Sequence, residues 1–296
     1  MKADILIKGG RVIDPSSGTD TIADVALYDG LVAAVGRLEG VFAKETVDAD
    51  GMVVAPGFID LHCHLREPGP ADETIESGTL AAAAGGFTAV CAMPNTTPPV
   101  DSPAMVEFIR LKAASEANVR VLPIGTITKG RQGLELAELA LMAEKGAVAF
   151  SDDGSPVADG EMMRRALEYS KIVRRPIIEH CEDMSLTNGG EANEGPVTTW
   201  LGLNPIPRAS EECMVARNLV LAIRTRGRLH LAHLSTELSI SLFNWAKGYG
   251  ADITAEVAPH HLALTEALLA GYETYAKVNP PLRGEEDRAA VALAAK

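Results

Sequence analysis

The 296-residue chain is short of cysteine, of aromatic side chains and of positive charge. Its four cysteines, Cys63, Cys91, Cys181 and Cys213, stand far apart and make no CxxC pair. That excludes a zinc ribbon and a disulfide framework and leaves reduced thiols, three of them inside apolar strand-like runs. Aromatics make up only 4 % of a chain that is 47 % hydrophobic and 23 % charged, so a globular core must be filled by Ala, Val, Leu and Ile. A formal charge of −13 repels nucleic acid and anionic membrane and leaves small molecules or other proteins as partners. No stretch approaches the roughly 20 uninterrupted apolar residues of a membrane span. The opening MKADILIKGG is too short and too interrupted for a signal peptide. A cytoplasmic protein is expected.

What is present falls into two rhythms. Residues 4 to 55 alternate β-like runs (DILIKGGRVID, DVALYDGLVAAVG, VVAP) with Gly and Asp turns, which predicts a partial β-sandwich module over 1–55. Apolar runs then alternate with helical stretches: MVVAPGFIDLHCH, GFTAVCAMP, VRVLPIGTIT, GAVAFSDDG, RPIIEHC, RLHLAHLS and DITAEVAPHHL. The candidate helices cover 73–84, 103–117, 133–145, 160–174, 209–226 and 236–248. Seven β/α units with polar residues at the C-terminal ends of nearly all strands predict an α/β fold over 56–296. A TIM-type (β/α)8 barrel fits better than a doubly wound sheet, with the eighth strand missing from the count. Residues 182–208, rich in Gly, Pro and Asn, fall where such a barrel builds its active-site rim.

Positions i and i+2 of a strand face one side, so His62 and His64 in PGFIDLHCHLREPG converge while Cys63 points away. Two imidazoles at a strand end suit a borderline metal, although an isolated HxH fits two packed or solvated histidines equally well. Recurrence decides in favour of metal. His180 ends RPIIEHC, His233 ends RLHLAHLS, and Asp152 and Asp153 end GAVAFSDDG, enough ligands for two ions. Two divalent ions about 3.5–4 Å apart need a bridging anion. Asp153 is the choice; Asp152 faces the opposite way if the strand persists, and a bend in SDDG would exchange them. GAVAFSDDG contains no lysine and Lys145 precedes the Gly146 turn, so a carboxylated-lysine bridge is not expected. His230 reads as a structural residue, and His260 and His261 as supporting or packing residues.

Together, PGFIDLHCHLREPG, CAMPNTTPPVD, AFSDDG, IIEHCED, LHLAHLST, APHHLALT and KVNPPLR resemble the signatures of the amidohydrolase superfamily, and within it of dihydroorotases of the long bacterial type. They occur in the same order and cover essentially the whole chain. The resemblance implies that His62, His64, Asp153, His180 and His233 hold zinc, two ions per chain in a full-length form. It also implies that His64, Arg66, Asn95 and Asn279 contact the substrate. A guanidinium grips a carboxylate in a two-pronged geometry, which gives Arg66 a purpose beside a cationic centre; the plainer reading pairs it with Glu67. Asn95 and Asn279, each beside a proline, also fit ordinary turn positions.

The implied reaction is reversible hydrolysis of the cyclic amide of dihydroorotate to N-carbamoyl-aspartate in pyrimidine biosynthesis. The family's proton-transfer aspartate, in an Asp-His-Ala-Pro motif after strand eight, has no counterpart after KVNPPLRGEEDRAAVALAAK. The catalytic acid is therefore unassigned, and a truncated chain with negligible activity of its own is expected. An allantoinase or hydantoinase, and a non-catalytic scaffold partner of aspartate carbamoyltransferase, remain alternative readings. A homodimer is a further possible assembly.

Overall fold

The computed structural model describes residues 1–69 and 72–296. The chain divides into two compact units, Met1–Phe58 and Ile59–Lys296.

In the first unit, strands β1 (Lys2–Asp14), β2 (Thr19–Tyr28), β3 (Leu31–Gly36) and β4 (Phe42–Asp48) form a sheet in the order β3-β2-β1-β4, and β5 (Val53–Val54) pairs with β1. Asp29 and Gly30, both with positive φ, make the two-residue turn of the β2–β3 hairpin. The β-like runs of the sequence account for four of these strands. The fifth, β4, reads FAKETVD and is mostly exposed, so it carries no apolar alternation to betray it. Its parallel register with β1, from Lys2 opposite Phe42 to Lys8 opposite Asp48, is what makes it a strand.

The second unit strings strand and helix alternately. Strand β6 (Phe58–Cys63) leads to α1 (Ile75–Ala84), β7 (Phe87–Ala92) to α2 (Pro103–Glu116), and β8 (Arg120–Gly125) to α3 (Leu139–Glu144). Strand β9 (Ala149–Ser151) leads to α4 (Gly160–Val173), and β10 (Ile177–Glu179) to a rim of α5 (Met184–Thr187), β11 (Ala192–Asn193), α6 (Pro196–Leu201) and β12 (Pro205–Ile206). Then come α7 (Ala209–Thr225), β13 (Leu229–Leu231), α8 (Glu237–Gly248), β14 (Ile253–Ala255), α9 (Pro259–Ala263) and α10 (Glu285–Ala294). Local chemistry sets several helix starts. The Thr74 and Ser77 side chains cap α1 reciprocally, Asp159 accepts from Met162 N–H at α4, and Thr236 accepts from Ser239 N–H at α8.

One expectation needs correction. The helix expected over 133–145 occupies only α3, because residues 128–137 form a loop in which Thr128 bridges Leu136 and Ala137 N–H bonds to the Ile127 carbonyl. The long 182–208 connection is not structureless: β11 and β12 pair in parallel, and Leu201 packs with Ala192, Leu269, Ala276 and Leu282.

The seven strands β6, β7, β8, β9, β10, β13 and β14 lie side by side in chain order in one sheet. At about 4.8 Å per strand, its edges would stand about 29 Å apart if it were flat. Yet His62, on edge strand β6, reaches Glu256, one residue past edge strand β14, at 2.6 Å. The sheet is therefore curled into an open barrel.

Period-two alternation then sorts the side chains. Phe150, Ile177, Leu229 and Leu231 face the helices, in one large buried cluster with Met163, Leu167, Val215 and Leu219. Cys91, Met93, Ile124, Ala149, Ile178 and Ala232 form a smaller cluster on the concave side. On β7, β9 and β10, the residue two places beyond a concave one belongs to the concave side as well. Tight packing on the outer side shows at Gly227, where a Cβ would stand 2.6 Å from the Leu167 carbonyl oxygen.

Candidate metal centre

That parity places the functional residues. Ile178 is concave, hence so is His180; Ala149 is concave, hence so are Ser151 and Asp153. Asp152 points the other way and is held by Ile127 N–H at 2.8 Å, Thr128 N–H at 3.1 Å and the Thr128 hydroxyl. Burial lifts the Asp152 carboxyl to about 6 despite those hydrogen bonds. The alternation of β9 thus persists through Asp153 and puts it, not Asp152, among the histidines. His233 does not follow the parity of Leu229 and Leu231, which would turn it toward the helices. A left-handed backbone at His233 (φ +34) breaks the strand and brings its ring to the concave side.

Five residues meet there in two groups that share one carboxylate: His62, His64 and Asp153, and Asp153, His180 and His233. His62 Nε2 is 3.5 Å from Asp153 Oδ1, and His64 Nε2 is 3.6 Å from Oδ2. His180 Nδ1 and His233 Nε2 each stand 3.9 Å from Oδ1 and 2.9 Å from each other. Ligand atoms around a tetrahedral zinc with bonds of about 2.0–2.2 Å lie roughly 3.4 Å apart, so the spacing suits a divalent ion in each group. The donor set of neutral imidazoles and one carboxylate is the chemistry such an ion takes.

Electrostatics agree for Asp153, His64 and His233 and disagree for His62, which the carboxylates around it hold charged as long as no cation neutralises them. Burial works against the Asp153 anion, but hydrogen bonds from His233 and His62 outweigh it and hold the group well below the usual carboxylate range. Burial also opposes a charged His62, yet Asp153 and Glu256 raise it to about 10. His64 and His233, by contrast, are lowered by burial, which favours the neutral imidazole a metal requires. Glu182 is buried and Glu256 half-buried, and both are held at about 2 against that burial by histidine partners, His230 and His62 for Glu256 and His180 for Glu182. Three carboxylates therefore stay ionised around the four rings.

The remaining expected residues are placed as follows. Arg66, exposed and left-handed (φ +57), lines a cleft of about 670 Å³ with His62, His64, His233, Glu256 and Asn279. It does not pair with Glu67, whose carboxylate accepts from Ile75 N–H and binds Lys112. Asn95 sits on the centre itself, its Oδ1 3.0 Å from His64 Nδ1 and its Nδ2 donating to Asp153 Oδ2 at 3.1 Å. Asn279 Nδ2 donates to Glu182 Oε2 at 3.1 Å. His230 is outside both ligand groups; it is buried between Thr254 and Glu256. His261 Nε2 donates to the Pro280 carbonyl. Lys145 is held by Glu107 on α2, away from Asp153. Of the cysteines, Cys91 and Cys181 are buried, Cys63 is partly buried and Cys213 is exposed, all as free thiols.

Glu182 and Glu256 escaped the sequence reading. Their signal was available: each is a carboxylate just past a predicted strand, Glu182 two residues after His180, and the same signal singled out Asp153.

A curled parallel sheet with four histidines and a shared aspartate at its C-terminal rim defines a barrel of the metal-dependent amidohydrolase type. Solved structures share the fold. The chain superposes on the L-hydantoinase (dihydropyrimidinase) from Arthrobacter aurescens with a TM-score of 0.84 at 24 % identity, over 98 % of this chain and 66 % of that one. On the dihydropyrimidinase from Brevibacillus agri the TM-score is 0.80 at 20 % identity, over 96 % and 64 %. Residues 51–239 match the family described as dihydro-orotase-like. The dihydroorotase of Pelotomaculum thermopropionicum is 51 % identical over 288 residues, 97 % of this chain and 67 % of that protein. That of Solibacter usitatus is 50 % identical over the same shares. The chain spans about two thirds of the length of these relatives and belongs to the dihydroorotase-like family of cyclic-amide hydrolases. Among the described residues no helix is long and apolar enough to cross a membrane.

Proposed function

We propose that His62, His64, Asp153, His180 and His233 hold two zinc ions, and that the site serves the reversible hydrolysis of dihydroorotate to N-carbamoyl-aspartate. The observation that carries this reading is one buried carboxylate shared by two histidine pairs beside an arginine-lined cleft. When bound, such an ion pair brings the pKa of a water from 15.7 to about 7 and polarises an amide carbonyl. The protein's own residues do the rest. Arg66 takes the substrate carboxylate through paired N–H donors and so points the ring amide at Asp153. Asn279 offers its Oδ1 to a ring N–H, since among the described residues no donor reaches that atom while its Nδ2 serves Glu182. Asn95, bonded to both His64 and Asp153, contacts substrate by exchanging one of those bonds.

The test is turnover of dihydroorotate, hydantoin and allantoin by zinc-loaded protein, in both directions for the first. Dihydroorotate should be preferred by orders of magnitude; faster turnover of hydantoin would overturn the substrate assignment. Zinc binding without turnover of any of the three, together with co-purification with aspartate carbamoyltransferase, would mark the chain as a scaffold partner.

A further inference from the structure

A second polar cluster, outside the ligand set, surrounds Arg283, which is only 3 % exposed. Its guanidinium reaches three segments of the chain. Nη1 donates to Asn193 Oδ1 at 2.9 Å in rim strand β11, Nε donates to Ser235 Oγ at 3.0 Å beyond β13, and Nη2 stands 3.7 Å from Glu211 Oε2 in the first turn of α7. The Ser235 hydroxyl donates in turn to Glu211, which also accepts from the Ser235 and Thr236 N–H groups at 3.0 and 3.2 Å. On the other side Asn193 Nδ2 donates to Glu266 Oε2, and the Glu266 N–H returns to the Arg283 carbonyl at 2.9 Å. Both the side chain and the backbone of Arg283 are thereby tied to the rim.

Burying a charged pair is costly, and an aliphatic side chain would fill the same space without that cost. What it could not do is hold three segments in fixed directions, for which a planar guanidinium with five donors is suited and a flexible ammonium is not. The segment so held carries a residue of the cleft. Asn279 stands four positions before Arg283 and lines the cleft with Arg66. Its Nδ2 is tied to Glu182 at the start of the rim, the Pro280 carbonyl accepts from His261, and Leu282 packs with Ala192 and Leu201 of the rim. The rim therefore grips the 279–283 segment at both ends, through Glu182 at one and Asn193 at the other.

We propose that Arg283 is a positioning residue for substrate recognition. By bridging Asn193 and Ser235 it sets the place of Asn279 in the cleft and joins the rim and the Asn279 segment into one unit. It touches no substrate itself. The inference rests on the reading of Asn279 as a substrate contact, which dihydroorotate binding by the unaltered protein and its loss in Asn279→Ala test on their own.

The experiment pairs calorimetric binding of dihydroorotate to the zinc-loaded whole chain with amide hydrogen exchange in the absence of dihydroorotate. Asn193→Ala removes the rim end of the bridge and leaves Arg283 opposite Glu211, so it spares the buried pair. It should weaken dihydroorotate binding roughly ten-fold with zinc content unchanged. It should also speed exchange of the Glu194 and Glu266 amides, which bond to the Ile206 and Arg283 carbonyls, and leave that of Phe150 in β9 unchanged. In an Asn279→Ala background the same substitution should cost less than about two-fold in binding, because nothing is left to be positioned. Arg283→Lys keeps the charge opposite Glu211 but cannot span Asn193 and Ser235, and should resemble Asn193→Ala. Equal losses of binding from Asn193→Ala in both backgrounds would overturn the proposal. So would binding and exchange that stay normal in both Asn193→Ala and Arg283→Lys. Absence of binding by the unaltered protein would sink the substrate reading instead, and exchange at Glu266 would then decide whether the rim and the Asn279 segment are one unit.

Discussion

The two halves of the centre share Asp153 but are built differently. His180 and His233 rise from β10 and the end of β13, inside the sheet, and the His180 side chain is only 4 % exposed. His62 stands on β6 and His64 just past its end; β6 is an edge strand whose Phe58, Ile59 and Leu61 are exposed, and the His64 side chain is 29 % exposed. Ligands on a strand paired on both sides are held by neighbours as well as by their own backbone. Ligands on an edge depend more on what reaches across to them, which for His62 is Glu256 from the opposite edge. The closed half is therefore expected to organise the centre, and the open half to admit the substrate beside Arg66.

The strongest test removes what the halves share. In a full-length form Asp153→Ala should reduce zinc from two ions per chain to near none and lower kcat by more than about 10³-fold, since it strips both groups at once. Elemental analysis that still finds one tightly held ion would show the halves to be independent.

Arg66→Lys asks whether the open half is the substrate side. One charge-assisted hydrogen bond is worth about 1.5–3 kcal/mol, so in a full-length form KM should rise roughly 10- to 100-fold with zinc content unchanged. Loss of zinc with normal KM would make Arg66 part of the centre's scaffold.

A third measurement compares the halves directly. Chelator stripping followed by stopped-flow should release zinc in two steps about ten-fold apart in rate, and His64→Ala should abolish the faster one only. A single step would erase the distinction.

The smallest effect lies at His261, buried beside the closed half and lowered to about 4 chiefly by burial, with nearby His260 adding to it. Its unfolded value is near 6.5, so the unfolded chain binds the proton more readily between those limits. The contribution of His261 to stability is complete above about pH 6.5 and is lost as the pH falls toward 4, on the order of 1–2 kcal/mol by pH 5. Urea midpoints at pH 7.5 and 5, compared with His261→Gln, should show that slope in the unaltered protein and a shallower one in the variant.

The legible parts of the sequence were those governed by short-range alternation. His62 and His64 share a face in any extended strand, and Asp153 follows Ala149 by an even count, so their convergence could be read directly. The helix starts at Thr74, Asp159 and Thr236 likewise follow from neighbours three residues on. Other features depend on distant partners. β4 is a strand only because β1 lies beside it. His233 enters the centre through a backbone turn that its LHLAHLS context does not announce. Glu256 acquires its partner from a residue 194 positions earlier, once the sheet has curled.

The alternation of the two sheet faces also limits how a chain of this kind can change over time. A point substitution alters one contact, but a single inserted or deleted residue in β9 or β10 would turn Asp153 or His180 to the helices. A buried Glu179 or Cys181 would then face the concave side in place of His180. Length variation should therefore be purged from these strands and tolerated in the connections, above all in the rim between β10 and α7. Diversification toward new cyclic amides would then proceed by replacing loops around a metal constellation that must be inherited whole.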